Sequence, residues 1–443
     1  MPTTQPQQED SQAHLGLKLL LLGLQHVLAM VAVPITSVFL VSKALNLPTD
    51  LTINLISATF LLCGLGTLLQ SFGPFKVGAR LPFIMIPGGA PIVMFLGVAQ
   101  AYDLQTASGA VILTALFYFL ILPVFKKLLR FFPHLVIGIL LLLVSINLIK
   151  IYGAMVLGTP DTPQYADPVN IGICFFTIAV TLLFARIFNG VLSKFSVLLG
   201  LIAGVILSAS LVPLHLDQQL QGALFSLPSF LPFGTPHFDL VATIPFFIFC
   251  IISMIEATGQ TIAVAEITGS KRSAEELVPS TIRGDACISL LGGFLGTSLI
   301  ITSGENIGIL RVTQIKTRYV TIIAGFILLF LAIFSPLARL ANAIPVPVIS
   351  GTAIIVFAII GTIGINMLKK VNLQDKGNMY VLAGALTFGL IPILIPNFYV
   401  NFPLSIKPIL NNGLAMGTIA AILLNIIFNF SKTATPQDKN IKF

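Results

Sequence analysis

Two glutamates stand where an ionised side chain is hard to keep. Glu256 lies inside the apolar stretch Met254-Ile255-Glu256-Ala257, and Glu305 lies in Gly304-Glu305-Asn306-Ile307-Gly308 amid a second one. Asp285 sits near the start of a third apolar segment. Most of the other carboxylates among the sixteen Asp and Glu fall in polar loops or at segment ends. A carboxylate buried among apolar residues is neutral, paired, or used as a ligand or proton site. Asp285 reads equally well as a satisfied carboxylate beside a loop. His26 follows Gln25 in another apolar run. It is either a hydrogen-bonded structural residue or a group that orients a carboxylate. By order of segments its counterpart in the second half of the chain is the one holding Glu256, so the two are expected together. No His-Glu-x-x-His, Gly-x-Ser-x-Gly or paired-cysteine motif is present. Cys63, Cys174, Cys250 and Cys287 lie in or beside apolar runs without metal-ligand spacing. No enzyme, no metal site and no cofactor is expected; binding and proton transfer remain.

The elements that carry these residues follow from composition. Of 443 residues, 56% are hydrophobic and 9% charged, and apolar runs of about 20 residues succeed one another. Lipid offers no partner for backbone N–H and C=O groups, so the spans must be helices or a closed barrel. Continuous Leu, Ile and Phe runs exclude the alternating pattern of a barrel. The net charge of +8 comes without a basic face interleaved with aromatics, so no nucleic acid is expected as a partner. Membrane lipid is. Residues 1–14 are polar with no basic n-region, so no cleavable signal is visible.

Splitting the chain at its polar punctuation predicts about fourteen spans, beginning near residues 16, 52, 81, 106, 134, 169, 195, 240, 279, 298, 318, 346, 378 and 408. With the N-terminus inside, all but four of the twenty-four Lys and Arg fall on the inner side; Lys43, Lys150, Arg339 and Lys407 fall outside. Both termini are thus expected in the cytoplasm. The third span opens Leu81-Pro82-Phe83-Ile84-Met85-Ile86-Pro87-Gly88-Gly89-Ala90-Pro91, and the tenth opens on Ser298-Leu299-Ile300-Ile301-Thr302-Ser303-Gly304. Pro and Gly at membrane depth predict an extended stretch leading into a half-length helix. Fourteen divides into seven and seven. Because seven is odd, the halves would be inverted, with the interrupted spans in equivalent places around a midplane site. The expected fold class is an all-α polytopic protein with a 7+7 inverted repeat.

Gln25-His26, Met254-Ile255-Glu256-Ala257-Thr258-Gly259 and Gly304-Glu305-Asn306-Ile307-Gly308-Ile309-Leu310-Arg311-Val312-Thr313, taken in order, resemble the nucleobase–ascorbate transporter family, or nucleobase–cation symporters of the second type. The resemblance runs over essentially the whole chain. It implies a core of spans 1–4 and 8–11 and a gate of spans 5–7 and 12–14. It further implies import of xanthine, urate or uracil coupled to a proton, or to sodium, commonly by a homodimer. By position, Glu256 and Glu305 would hydrogen-bond the base beside Gly304 and Asn306, and Gly88 and Gly89 would present backbone. A flat base edged with N–H donors and C=O acceptors suits two carboxylates and two helix ends at one depth. His26, Asp285 and Gln260 take the coupling or orienting roles.

Some positions depart from the family pattern. Glu305 resembles uracil-transporting members, whereas Asp285 resembles the purine branch. Gln260 matches neither the His of uracil members nor the Asp of many xanthine members. Pro87-Gly88-Gly89-Ala90-Pro91 replaces the usual Gly-Ser-Ser-Phe, which leaves Phe83 and Phe95 as stacking candidates. The expected organisation is a tail (1–15), a first repeat (16–213), an external loop (214–239), a second repeat (240–429) and a tail (430–443). A rival within the same architecture is a SulP-type anion transporter. Such proteins lack the Gly-Glu-Asn-x-Gly string and usually add a soluble domain after the last helix, where this chain continues for about a dozen residues. A channel is separated from a pump by accumulation against a gradient. The expected location is the plasma membrane.

Overall fold

The computed structural model describes residues 17–429 except 18, 29, 126–132, 159–164, 190–191, 212–222, 304–309, 311–316, 396–397 and 403–409. Gly304, Glu305 and Asn306 therefore lie outside the described residues. Among the described residues, eight helices are long and apolar enough to cross a membrane. They are α1 (Leu19–Ala44), α2 (Thr49–Phe72), α4 (Leu104–Val124), α5 (His134–Leu157), α6 (Pro168–Ile187), α8 (Leu240–Thr268), α12 (Val346–Leu368) and α13 (Lys376–Leu394). Four shorter apolar helices join them: α3 (Gly89–Ala101), α7 (Ser196–Leu211), α10 (Tyr319–Ile333) and α14 (Gly413–Asn429). The more polar α9 (Ala274–Phe294) carries Asp285, and α11 (Ser335–Asn342) is a short connector.

Local chemistry sets where several helices begin. Asp103, Asp167, Asp239 and Asp375 stand immediately before α4, α6, α8 and α13, and each side chain accepts a backbone N–H of the first turn. The O···N distances from their Oδ1 atoms to Thr106, Val169, Ala242 and Gly377 are 2.6, 2.9, 2.9 and 2.8 Å. A cap of this kind satisfies a donor that the helix leaves free, typically worth about 1 kcal/mol. These four carboxylates have structural employment. Glu256 is in the interior of α8 and has none of this kind.

At the centre the chain is extended. β1 (Met85–Pro87) pairs antiparallel with β2 (Ile300–Thr302), in the register Met85↔Thr302, Ile86↔Ile301 and Pro87↔Ile300, with all six residues buried. The pairing continues on both sides: Gly88 N–H donates to Leu299 O at 3.2 Å, and Ser303 N–H to Ile84 O at 2.9 Å. Each strand is also tied to the helix that precedes it. Met85 N–H donates to Thr67 Oγ1 of α2 at 3.1 Å, and Ser289 Oγ of α9 donates to Ile300 O at 3.0 Å. Extended backbone at this depth is stable because protein groups, rather than water, satisfy it.

The helices pack in two groups. In one, α2 lies along α10, α9 along α4, and α8 against both α3 and α4. In the other, α5 lies along α12, α13 along α14, and α6 along α7. Close crossings use glycine, as helix pairs in lipid often do. A Cβ on Gly138 of α5 would stand 3.0 Å from Gly364 O of α12, and one on Gly364 would stand 2.9 Å from Gly138 O. Between the groups, Tyr152 of α5 donates to Thr36 O of α1 at 2.8 Å and its ring stacks on Phe357 of α12 with centroids 5.7 Å apart.

Candidate functional site

The strand pair fixes where α3 starts. Gly88, with φ −73° and ψ 138°, is its extended N-cap, and Gly89 is its first residue. There is no room for larger side chains. A Cβ at Gly88 would be 2.9 Å from Ile301 Cδ1, and one at Gly89 would be 3.0 Å from Ile360 Cδ1 and 3.1 Å from Phe357 Cε1. Phe357 belongs to the second helix group, so an aromatic ring from α12 closes on the N-terminus of α3. Nothing in the local sequence marked it. Phe83 and Phe95, the expected stacking residues, are both buried: Phe83 packs with Leu81, Val264 and Leu277, and Phe95 packs near Phe233 with centroids 6.5 Å apart.

α8, which packs on α3 and on β2, carries Glu256 beyond its midpoint. The residue is half-buried, and among the described residues no donor reaches its carboxylate. Gln260 follows one turn later, hence on the same face, and is also half-buried and engaged in an interaction. His26 is fully buried in α1. Its Nδ1 lies 2.9 Å from Leu22 O one turn earlier, while Nε2 meets no partner among the described residues, and neither does Gln25 Nε2. Leu19 and Leu22 of α1 and Ala265 and Ile267 of α8 pack on one apolar cluster that holds Val264, Leu277 and Val320, and Gly23 of α1 lies against Ile323 of α10.

Asp285 has different surroundings. It is 1% exposed, and its Oδ1 accepts from Gln70 Nε2 of α2 at 3.0 Å, from Thr302 Oγ1 at 2.6 Å and from Thr302 N–H at 3.2 Å. Gln70 extends the network by donating to Thr281 O at 2.9 Å and accepting Ala79 N–H at 3.2 Å. Thr261 Oγ1 of α8 donates to Thr281 Oγ1 at 2.9 Å. Asp285 therefore joins α2, α9 and β2, with α8 linked through Thr281. Gln70, Thr302 and Thr261 went unnoticed in the sequence, because a lone amide or hydroxyl in an apolar run usually bonds its own helix.

The site so built is a meeting of a short helix, a strand pair and a mid-span carboxylate, with no nucleophile, base or metal set of an enzyme in the described part. The sequence model of the Permease family, Xan_ur_permease, matches residues 17–398. The chain belongs to this family. It is a permease and not an enzyme, a multi-pass membrane protein, and the likeness to nucleobase permeases holds across it. The uric acid transporter UacT of Escherichia coli (strain K12) is 30% identical over 93% of this chain and 86% of its own length. The xanthine permease of Bacillus subtilis (strain 168) is 27% identical over 94% and 95%, and the uracil permease of Escherichia coli (strain K12) is 24% identical over 85% of each. Among solved structures, the transmembrane domain of the cyanobacterium bicarbonate transporter BicA matches with a TM-score of 0.57 over 93% of this permease and 97% of that chain, at 16% identity. The murine anion transporter Slc26a9 matches at 0.59 over 92% and 68%, at 13% identity. At such identities these structures speak for the fold alone.

Proposed function

We propose that this permease imports a nucleobase of the urate and xanthine type by secondary active transport, with a proton as the coupling ion. The observation that carries the reading is Glu256, a mid-span carboxylate without a donor among the described residues, on a helix packed against β2 and α3. An empty acceptor pair at that depth suits the N–H edge of a base. A proton on the same carboxylate changes both its charge and its hydrogen-bond pattern, which is what coupling requires. Backbone at Gly88 and Gly89, together with Glu305 beside Gly304 and Asn306, completes the binding set, and His26, Gln260 and Asp285 orient it. The purine preference is supported by the relatives: those named for uric acid or xanthine are 27–30% identical to the chain, against 24–25% for those named for uracil. Uracil and sodium are the alternatives to be tested beside them.

The architecture proposed is fourteen spans in an inverted 7+7 repeat, with spans 1–4 and 8–11 as core and 5–7 and 12–14 as gate, working as a homodimer in the plasma membrane with both termini inside. The antiparallel strand pair supports it. Met85 and Thr302 are register partners, and the N–H of each donates to a side chain of the helix that precedes its own strand, Met85 to Thr67 and Thr302 to Asp285.

The test is uptake of labelled urate, xanthine and uracil in cells lacking their own permeases, with and without a protonophore. Accumulation collapsed by the protonophore is expected. Glu256→Gln is expected to abolish or strongly reduce uptake and flatten its pH dependence. Unchanged uptake and pH profile would remove Glu256 from the coupling role.

A further inference from the structure

A cavity of about 680 Å³ opens between the two helix groups, at the N-terminal end of α8. Its walls come from α3, α5, α8, the end of α13 and the start of α14. The size is that of a small-molecule site. Its depth follows from two wall residues. Val93 is one turn into α3 from Gly89, and Pro245 on α8 precedes Glu256 by about three turns, so the cavity leads toward the site described above. Lys150 lies at its rim. It is among the four basic residues that fall on the face poor in positive charge, which the proposed orientation makes the outer face.

The polar lining is one-sided. Lys150, Asn147, Gln100, Asn411 and Asn412 contribute an ammonium and four side-chain amides, and among the described residues no carboxylate lines the cavity. The Lys150 ammonium donates to the Ile393 carbonyl at the end of α13, a neutral acceptor that leaves its charge uncompensated. Two loop carboxylates beside lining residues in the sequence, next to Tyr102 and Val241, are engaged: Asp103 caps α4 and lies 3.5 Å from His237, and Asp239 caps α8. Asn412 has a fixed orientation. Its Oδ1 accepts Ala415 N–H at 3.1 Å at the start of α14, which turns Nδ2 across the cavity, 3.6 Å from where a Cβ on Gly97 of α3 would stand.

We propose that this cavity is an outer vestibule subsite that receives the base as an anion, holding a deprotonated oxopurine on Lys150 and Asn412 before it passes to Glu256. The proposal rests on the nucleobase reading and adds a selectivity to it. At mildly acidic pH urate is an anion whereas xanthine and uracil are neutral, so the subsite favours urate over the others. The bland alternative is that Lys150 does no more than cap the C-terminus of α13. That alternative lowers the amount of folded protein and affects every base equally.

Initial uptake rates against concentration, at mildly acidic pH in cells lacking their own base permeases, separate these. Lys150→Met is expected to raise KM for urate roughly fivefold, as losing one partly exposed charge contact does, while KM for xanthine or uracil moves less than twofold. Lys150→Arg restores the urate value. Asn412→Asp keeps the helix cap, since Asp serves there as well as Asn, yet places a negative charge in the vestibule, and it is expected to raise KM for urate further. Membrane abundance of each variant is read alongside, to separate folding from binding. Equal shifts for all bases, no shift for urate, or carriage of neutral bases with none of urate would overturn the subsite and leave the nucleobase reading intact. If the unaltered protein carries no base at all, both fall.

Discussion

Glu256 and Asp285 are both carboxylates inside apolar helices, yet they face opposite surroundings and predict opposite mutant behaviour. Asp285 is tied on one oxygen by Gln70 and twice by Thr302. Removing it takes away the acceptor of the buried Thr302 N–H and hydroxyl, while the Gln70 amide keeps Thr281 O and Thr302 Oγ1. Asp285→Ala is therefore expected to cost about 2–4 kcal/mol of stability, seen as a lower unfolding temperature in detergent, with Asp285→Asn costing less because its carbonyl can still accept. Glu256→Gln removes no bond to a described residue, so its unfolding temperature should stay near that of the unaltered protein while uptake is lost. A fall in stability as large as that of Asp285→Ala would make Glu256 a structural residue. The sequence exposes both acids through their apolar neighbours. It does not distinguish them, because the partners of Asp285 lie on α2 and β2, and such tertiary pairing leaves no local pattern. His26 is similar: its burial was legible, its bond to Leu22 was not.

At the scale of elements, hydropathy located helices closely. Spans expected near 134, 240 and 346 begin at His134, Leu240 and Val346, since charge, Pro and Asp punctuate the lipid-facing runs there. The third span, expected near 81, becomes a helix at Gly89 after an extended stretch, as Pro82, Pro87 and the two glycines require. The pairing of that stretch with β2 was not legible, because strands of three residues carry no period and their register is set by tertiary contacts. Gly88 is where this pairing is most exposed to mutation. Gly88→Val would drive a side chain into Ile301 and part the strands, an overpacking cost of about 1–3 kcal/mol. Gly153→Ala in α5, where nothing lies within 4 Å, supplies the control and should match or slightly exceed the unaltered protein. Unfolding temperatures of the two variants decide the matter, and equal values would show the strand contact to be soft.

At the scale of the molecule, the two helix groups must change their relation if a base is to be released on the side opposite to its entry. Their relation near the vestibule can be tested directly. Gly97 on α3 and Asn412 before α14 belong to different groups and face each other across the cavity, with a Cβ on Gly97 placed 3.6 Å from the Asn412 amide. Cysteines at both positions face each other across the cavity, and oxidation joins them when their Cβ atoms come within about 4.5 Å. The native cysteines interfere little, because Cys63, Cys174 and Cys250 are buried and Cys287 is partly so. The reduced double variant Gly97→Cys/Asn412→Cys sets the reference rate. Oxidation is expected to stop uptake and a thiol reductant to restore it, because the bridge holds together two bodies that must part for the vestibule to refill. If the bridged protein, its disulfide verified by loss of thiol labelling, still carries base at the reduced rate, then α3 and α14 keep a fixed distance through the cycle. The moving boundary would then lie on the other side of Glu256, between Phe357 and Gly89.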